Sequence, residues 1–249
     1  METSRYLECL AADHARLGAV AATGLAETVP SCPDWSVEDL TRHVAQVYLH
    51  KVECMRTGSA PQTWPPDLSG EPPLALLDRA YAQLRAEFAE RSPESPAHTW
   101  YDPDQTVAFW IRRMAQETVV HRVDAELAAG TSVADIPDDL AHDGIDEVLR
   151  VMLGYGTHRW PEAFTGVLPS STVRLLVDTG EQSWLVRLDA TGAVVEPGST
   201  DQAVHATISG APPELLLWLW RRTPDDAVRR TADRHAVDTF RAVLGAATQ

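Results

Sequence analysis

Lysine is almost absent from this chain: Lys51 is the only one among 249 residues, although lysine and arginine together number 21. The arginines are scattered rather than gathered into a stripe. With a formal net charge of −15, the chain repels phosphate backbones and anionic membrane surfaces, so neither nucleic acid nor lipid is an expected partner. Cysteine is scarce too. Cys9, Cys32 and Cys54 are too few and too widely spaced for a disulfide framework or a Cys-x-x-Cys zinc site, and their odd number reads as reduced thiols in a cytoplasmic protein. No apolar run approaches the roughly 18 residues of a membrane span. The first residues show no basic segment leading into an apolar stretch, so no signal peptide is expected. Gly-x-Ser-x-Gly, Gly-x-x-x-x-Gly-Lys and Gly-x-Gly-x-x-Gly are missing, which removes the nucleophile-elbow, P-loop and dinucleotide readings.

What is present begins with hydrophobic periodicity. At 3.6 residues per turn Trp110, Met114, Glu117, His121 and Asp124 share one helical face, so a carboxylate and an imidazole stand four residues apart where a core stripe should be apolar. Buried and unpaired, such groups cost several kcal/mol, so they must hold each other, a charged partner or a metal ion. Leu40, His43, Val47, His50 and Cys54 recur in the same way upstream. If the two helices pack antiparallel, His43, Glu117 and His121 converge as a two-histidine, one-carboxylate site with open positions, and His50 is the reserve ligand. Arg113, four residues before Glu117, either orients that carboxylate or faces a bound anion.

The rest of the chain divides by period. Helices are expected over about 5–22, from Ser36 onward with Asp39 completing its cap, over 74–90, between Asp104 and Gly130, and over 143–152. His14 falls on or beside the first helix's polar face. Residues 57–73, with five prolines, form a loop. Gly154, Gly156 and Pro161 mark a boundary, giving domains 1–160 and 161–249. Beyond it, residues 172–178, 183–189, 193–196 and 203–209 alternate as short strands of an antiparallel meander, followed by helices over 213–222 and about 231–244. The fold class is therefore α+β with two domains.

Three stretches resemble the mycothiol-dependent maleylpyruvate isomerase family. One is Val29-Pro-Ser-Cys-Pro-Asp-Trp35 running through Ser36 to His43, similar to the family's proline-rich loop, tryptophan and first metal-ligand histidine. The second is Glu117-x-x-x-His121-Arg-Val-Asp124. The third is Ile208-Ser-Gly-Ala-Pro-Pro-Glu-Leu-Leu-Leu-Trp-Leu-Trp-Arg-Arg222, in which Arg221 stands where the family more often has glycine. The resemblance implies a DinB-like four-helix bundle followed by a small, sterol-carrier-like α+β domain. It implies a divalent metal on His43, Glu117 and His121, for which the Irving–Williams order makes zinc a better choice than manganese or iron, with mycothiol as thiol cosubstrate attacking a small electrophile. Addition, bond rotation and elimination give isomerisation; retention of the adduct gives S-transfer.

Asp124 then acts on the ligand histidine from behind, and Arg113 and Arg222 are the candidates for a substrate carboxylate. The arginine bias suits a high-GC actinobacterial genome. A hydrolase or lyase using metal-bound water, or a metal-binding protein without chemistry, satisfies the same ligand set. Monomer and homodimer are both compatible with the sequence.

Overall fold

Apolar residues three and four apart wind the N-terminal part into four helices: α1 Thr3–Ala21, α2 Val37–Thr57, α3 Pro73–Glu90 and α4 Val107–Ala128. The computed structural model describes residues 1–248, the side chain of Ala232 excepted. Helix α2 starts with a capping box: Asp39 N–H donates to Ser36 Oγ, and Ser36 N–H to the Asp39 carboxylate. It stops at Gly58, whose φ of 68° is left-handed. Asp104, the expected cap of α4, instead accepts from Thr106 Oγ1 at 2.6 Å, and Thr106 occupies the cap position.

Helix α4 is the central element, packed on α1 and α2 and buried along almost its whole length. That placement decides the fate of its charges. Arg122 Nε donates to Asp13 Oδ1 at 3.0 Å, and its Nη1 donates to Glu126 Oε2 and Ala134 O, both at 2.8 Å. Arg16 of α1 reaches the other Glu126 oxygen at 2.7 Å. A fully buried guanidinium and carboxylate thus lie within a network that ties α1 to α4. His14 differs from its expected place on the polar face: α3 covers it, and its ring stacks on Tyr81 with centroids 3.7 Å apart. Between α1 and α2 the proline-rich stretch forms a small antiparallel pair, β1 Thr28–Val29 and β2 Cys32–Ser36.

These elements form one compact unit, Met1–Ala134, and the second is Asp135–Gln249. The division lies earlier than the expected boundary after residue 160. Helix α5, Asp138–Asp146, continues through a π-helical stretch, Glu147–Tyr155, into α6, Gly156–Arg159, and all of it belongs to the second unit. Gly154 is a packing position and not a break: a Cβ there would stand 3.3 Å from Leu149 O and 3.7 Å from Val195 Cγ2.

The second unit's sheet contains β3 Val173–Asp178, β4 Ser183–Asp189, β5 Gly192–Pro197, β6 Ala206–Ser209 and β7 Arg229–Ala232 in the order β5-β4-β3-β6-β7. Strands β3 to β5 are the expected meander. Strand β6 departs from it, because the chain crosses back after Pro197 and pairs parallel to β3, Leu175 opposite Ala206. Helix α7, Pro212–Leu219, packs on α5, and α8, Arg234–Ala247, covers β3 and β6. Residues 229–232 pair with β6 as an edge strand although a helix is expected from about residue 231, because Asp233 caps α8 by accepting from His235 N and Ala236 N. Among the described residues no helix is long and apolar enough to cross a membrane.

Candidate metal centre

Helices α2 and α4 bring His43, Glu117 and His121 together, and one ligand atom from each lies within 4.8 Å of the others. Both Nε2 atoms point at one carboxylate oxygen, Glu117 Oε1, at 3.2 Å. The second oxygen, Oε2, accepts from Arg113 Nη2 at 2.5 Å. Arg113 is buried, so this is an interior ion pair that fixes the carboxylate's rotation.

His121 is held from behind. Its Nδ1–H donates to Asp124 Oδ2 at 2.9 Å, since a carboxylate can only accept, and this leaves Nε2 facing the other two side chains. Asp124 is fully buried, and its Oδ1 accepts from Ser31 Oγ at 2.5 Å. Ser31 lies in the turn between β1 and β2, 93 residues away in sequence, and no local pattern announces it. Trp35, on β2, sets its ring 4.8 Å from that of His43, and the two imidazoles meet edge to face at 5.0 Å. The side-chain exposures of 34% for His43, 15% for Glu117 and 11% for His121 leave the group accessible on the His43 side.

Electrostatics bind the three tightly. Burial favours a neutral Glu117, but the His121 charge, hydrogen bonds from His121 and His43, and the Arg113 guanidinium hold its carboxyl well below the usual range. Burial also opposes a charge on His121, yet Glu117 and Asp124 raise it to about 9. Two imidazole nitrogens and one carboxylate oxygen, with a carboxylate behind one imidazole, fit a divalent ion such as zinc and leave coordination positions open.

His50 stands apart from the group. Its Nδ1 is 3.3 Å from Lys51 Nζ and 3.5 Å from Cys54 Sγ, and its ring meets Trp64 edge to face at 5.2 Å. Burial, with Lys51 and His98 nearby, pushes its imidazole down to about 4. Arg222 belongs to the second unit, where its Nη1 donates to Trp220 O at 2.7 Å and its guanidinium lies 5.6 Å from the Trp220 ring.

Comparison with known proteins places the chain in a family. Residues 7–126 match the model of the mycothiol maleylpyruvate isomerase N-terminal domain, and residues 139–241 match that of the MDMPI C-terminal domain. The chain belongs to the mycothiol-dependent maleylpyruvate isomerase family, a family of enzymes.

Two solved structures share its fold: a mycothiol-dependent maleylpyruvate isomerase at 15% identity, and a histidine-to-alanine mutant of a mycothiol-dependent maleylpyruvate isomerase at 12%. Each match covers 93% of this chain and 93% of the other, with a TM-score of 0.63. No curated protein sequence matches the chain.

Proposed function

We propose that this protein is a metal-dependent isomerase that uses mycothiol against a small, carboxylate-bearing electrophile. The observation that carries this reading is the meeting of His43, Glu117 and His121 within 4.8 Å, each of the last two braced by a further charged side chain. These three would hold a divalent ion, with zinc favoured over manganese or iron by the Irving–Williams order. When bound, that ion lowers the pKa of a thiol ligand and so favours the nucleophilic thiolate at neutral pH.

The chain's own residues prepare the place. Asp124 keeps the His121 proton on Nδ1 and the ring in one orientation, and Ser31 steadies Asp124 in turn. Arg113 holds one Glu117 oxygen and leaves the other towards the imidazoles. Arg113 is thereby occupied by Glu117, which weakens its claim on a substrate carboxylate. Arg222 is kept as the second unit's candidate for that task. In this reading the first unit's helices are the DinB-like four-helix bundle, and the second unit is the sterol-carrier-like domain.

Cobalt is a visible stand-in for zinc, and the test is the absorption spectrum of the cobalt protein during a mycothiol titration. A saturable sulfur-to-metal charge-transfer band, missing in His121→Ala and reached only at about 10- to 100-fold higher metal concentration in Asp124→Asn, is the expected result. Full metal retention by His121→Ala sinks the ligand assignment. A bound-cobalt spectrum indifferent to mycothiol turns the reading towards metal-bound water as nucleophile or metal binding alone.

A further inference from the structure

The chain's single lysine sits on the same helix as His43 and is paired with no carboxylate among the described residues. Lys51 is half-buried on α2, its Nζ 4.7 Å from the centre of the Trp110 ring and 3.3 Å from His50 Nδ1. Trp110 is itself fixed, 1% exposed, with its indole N–H donating to His98 O at 3.0 Å. A tryptophan face and an imidazole nitrogen give an ammonium a resting place but not a counter-charge.

Burial pushes the Lys51 ammonium down to about 8, against the opposing pull of Glu117 and Cys54, with Arg113 adding to the depression. Lysine has the flexible stem and compact charge to hold a mobile anion, whereas a guanidinium locked in a fork does not. Arg113 is locked in that way by Glu117.

Position adds the second part. Lys51 lies eight residues beyond His43, a rise of about 12 Å along the helix. Helical side chains lean back towards the N-terminus, so the lysine stem shortens that span towards the His43 end. Across the helix pair the ammonium meets Trp110, which lies seven residues before Glu117 on the α4 face that also carries Glu117 and His121, so Lys51 stands on the side of α2 that faces this stripe. In a chain of net charge −15, a cation beside the site adds to the metal ion's hold on an anionic substrate.

We propose that Lys51 is a substrate-binding residue whose ammonium takes a carboxylate of the small electrophile handled at the His43–Glu117–His121 cluster. This rests on the reading of that cluster as a metal site for a carboxylate-bearing substrate. It assigns to α2 a specificity role besides its contribution of His43: the substrate is selected by an anionic end that reaches towards Trp110. Neutral electrophiles of the same shape lose this contact and bind more weakly.

Because there is one lysine, biosynthetic 13C-lysine labelling of the full chain gives one lysine Cε resonance. Maleate, a cis-dicarboxylate, is titrated into zinc-loaded and zinc-free protein, with neutral maleamide as the control. A saturable shift with maleate and none with maleamide is expected. Lys51→Met should weaken maleate binding by about 10- to 100-fold, the usual size of a lost charge-assisted contact, and Lys51→Arg should recover most of it.

A lysine resonance unmoved by maleate, or a folded Lys51→Met or Lys51→Gln protein that binds maleate as the unaltered chain does, overturns the proposal. Zinc content measured on each sample keeps the two ideas apart. Protein that takes up no zinc fails the metal reading while the maleate titration still reports on Lys51. Zinc-loaded protein with an unmoved resonance fails Lys51 alone.

Discussion

Arg221 carries a left-handed backbone, φ 62°, at the end of α7. Its N–H donates to Trp218 O at 2.9 Å and that of Arg222 to Leu217 O at 2.8 Å, the paired bonds of a Schellman ending. Glycine suits that position because it has no Cβ to crowd the carbonyl; an L side chain there costs about 1–2 kcal/mol. This gives physical content to the resemblance drawn from the sequence, in which a glycine is expected where Arg221 stands. Glycine gives back part of the gain through its freer unfolded chain, so Arg221→Gly should stabilise the protein by about 0.5–1 kcal/mol. Thermal unfolding measures it, and a lowered midpoint would mean that the arginine's own interactions outweigh the strain. The same scale explains what could be read of the candidate site. Glu117 and His121 are four apart on one helix, so their shared face is visible in one dimension. Ser31 and Asp124 are 93 apart, and only the folded chain pairs them.

Elements, rather than residues, explain where local patterns misled. Helix α4 has buried residues on every side, so the charged positions that usually mark a solvated face mark a buried network instead. Arg122 is the test. Replacing it with methionine leaves Asp13 and Glu126 buried without their shared cation, and burial already pushes the Asp13 carboxyl up despite Arg122. Removing one partner from such a network costs about 3–5 kcal/mol, whereas replacing the whole set by apolar residues is near neutral. Arg122→Met should therefore lower the urea midpoint sharply, and the combined Asp13→Leu, Arg122→Met, Glu126→Leu protein should recover most of it. Equal midpoints for Arg122→Met and the unaltered chain would mean that the network contributes little. In the second unit, alternation announced β3, β4 and β5, but the parallel pairing of β6 with β3 is a property of the crossover and not of any strand. Of the helical run from Asp138 to Arg159 the periodicity announces 143–152; its continuation is hidden by Gly154 and Gly156, which resemble breakers although Gly154 serves close packing against β5.

At the scale of the whole molecule, the division after Ala134 assigns every proposed ligand and every brace to the first unit: Ser31, His43, Arg113, Glu117, His121 and Asp124. Ala134 closes that unit chemically. Its carbonyl accepts from Arg122 Nη1 at 2.8 Å and its N–H donates to Glu126 Oε2 at 3.2 Å, so a fragment ending at residue 126 loses both contacts. A fragment of residues 1–134 should therefore fold and bind zinc with the affinity of the full chain, within about threefold, because no ligand is missing and binding energy follows the ligand set and its braces. A fragment of residues 1–126 should be less stable, since Glu126 and Arg122 are left with buried hydrogen-bonding capacity unused. The measurement is competition against a chromophoric chelator, with circular dichroism to establish that each fragment is helical. A helical 1–134 fragment that binds zinc a hundredfold more weakly than the full chain would place a missing ligand in Asp135–Gln249 and overturn the three-residue assignment. Equal affinity, together with loss of mycothiol-dependent turnover, would instead confine the second unit's contribution to substrate handling, the role in which Arg222 is the residue to test next.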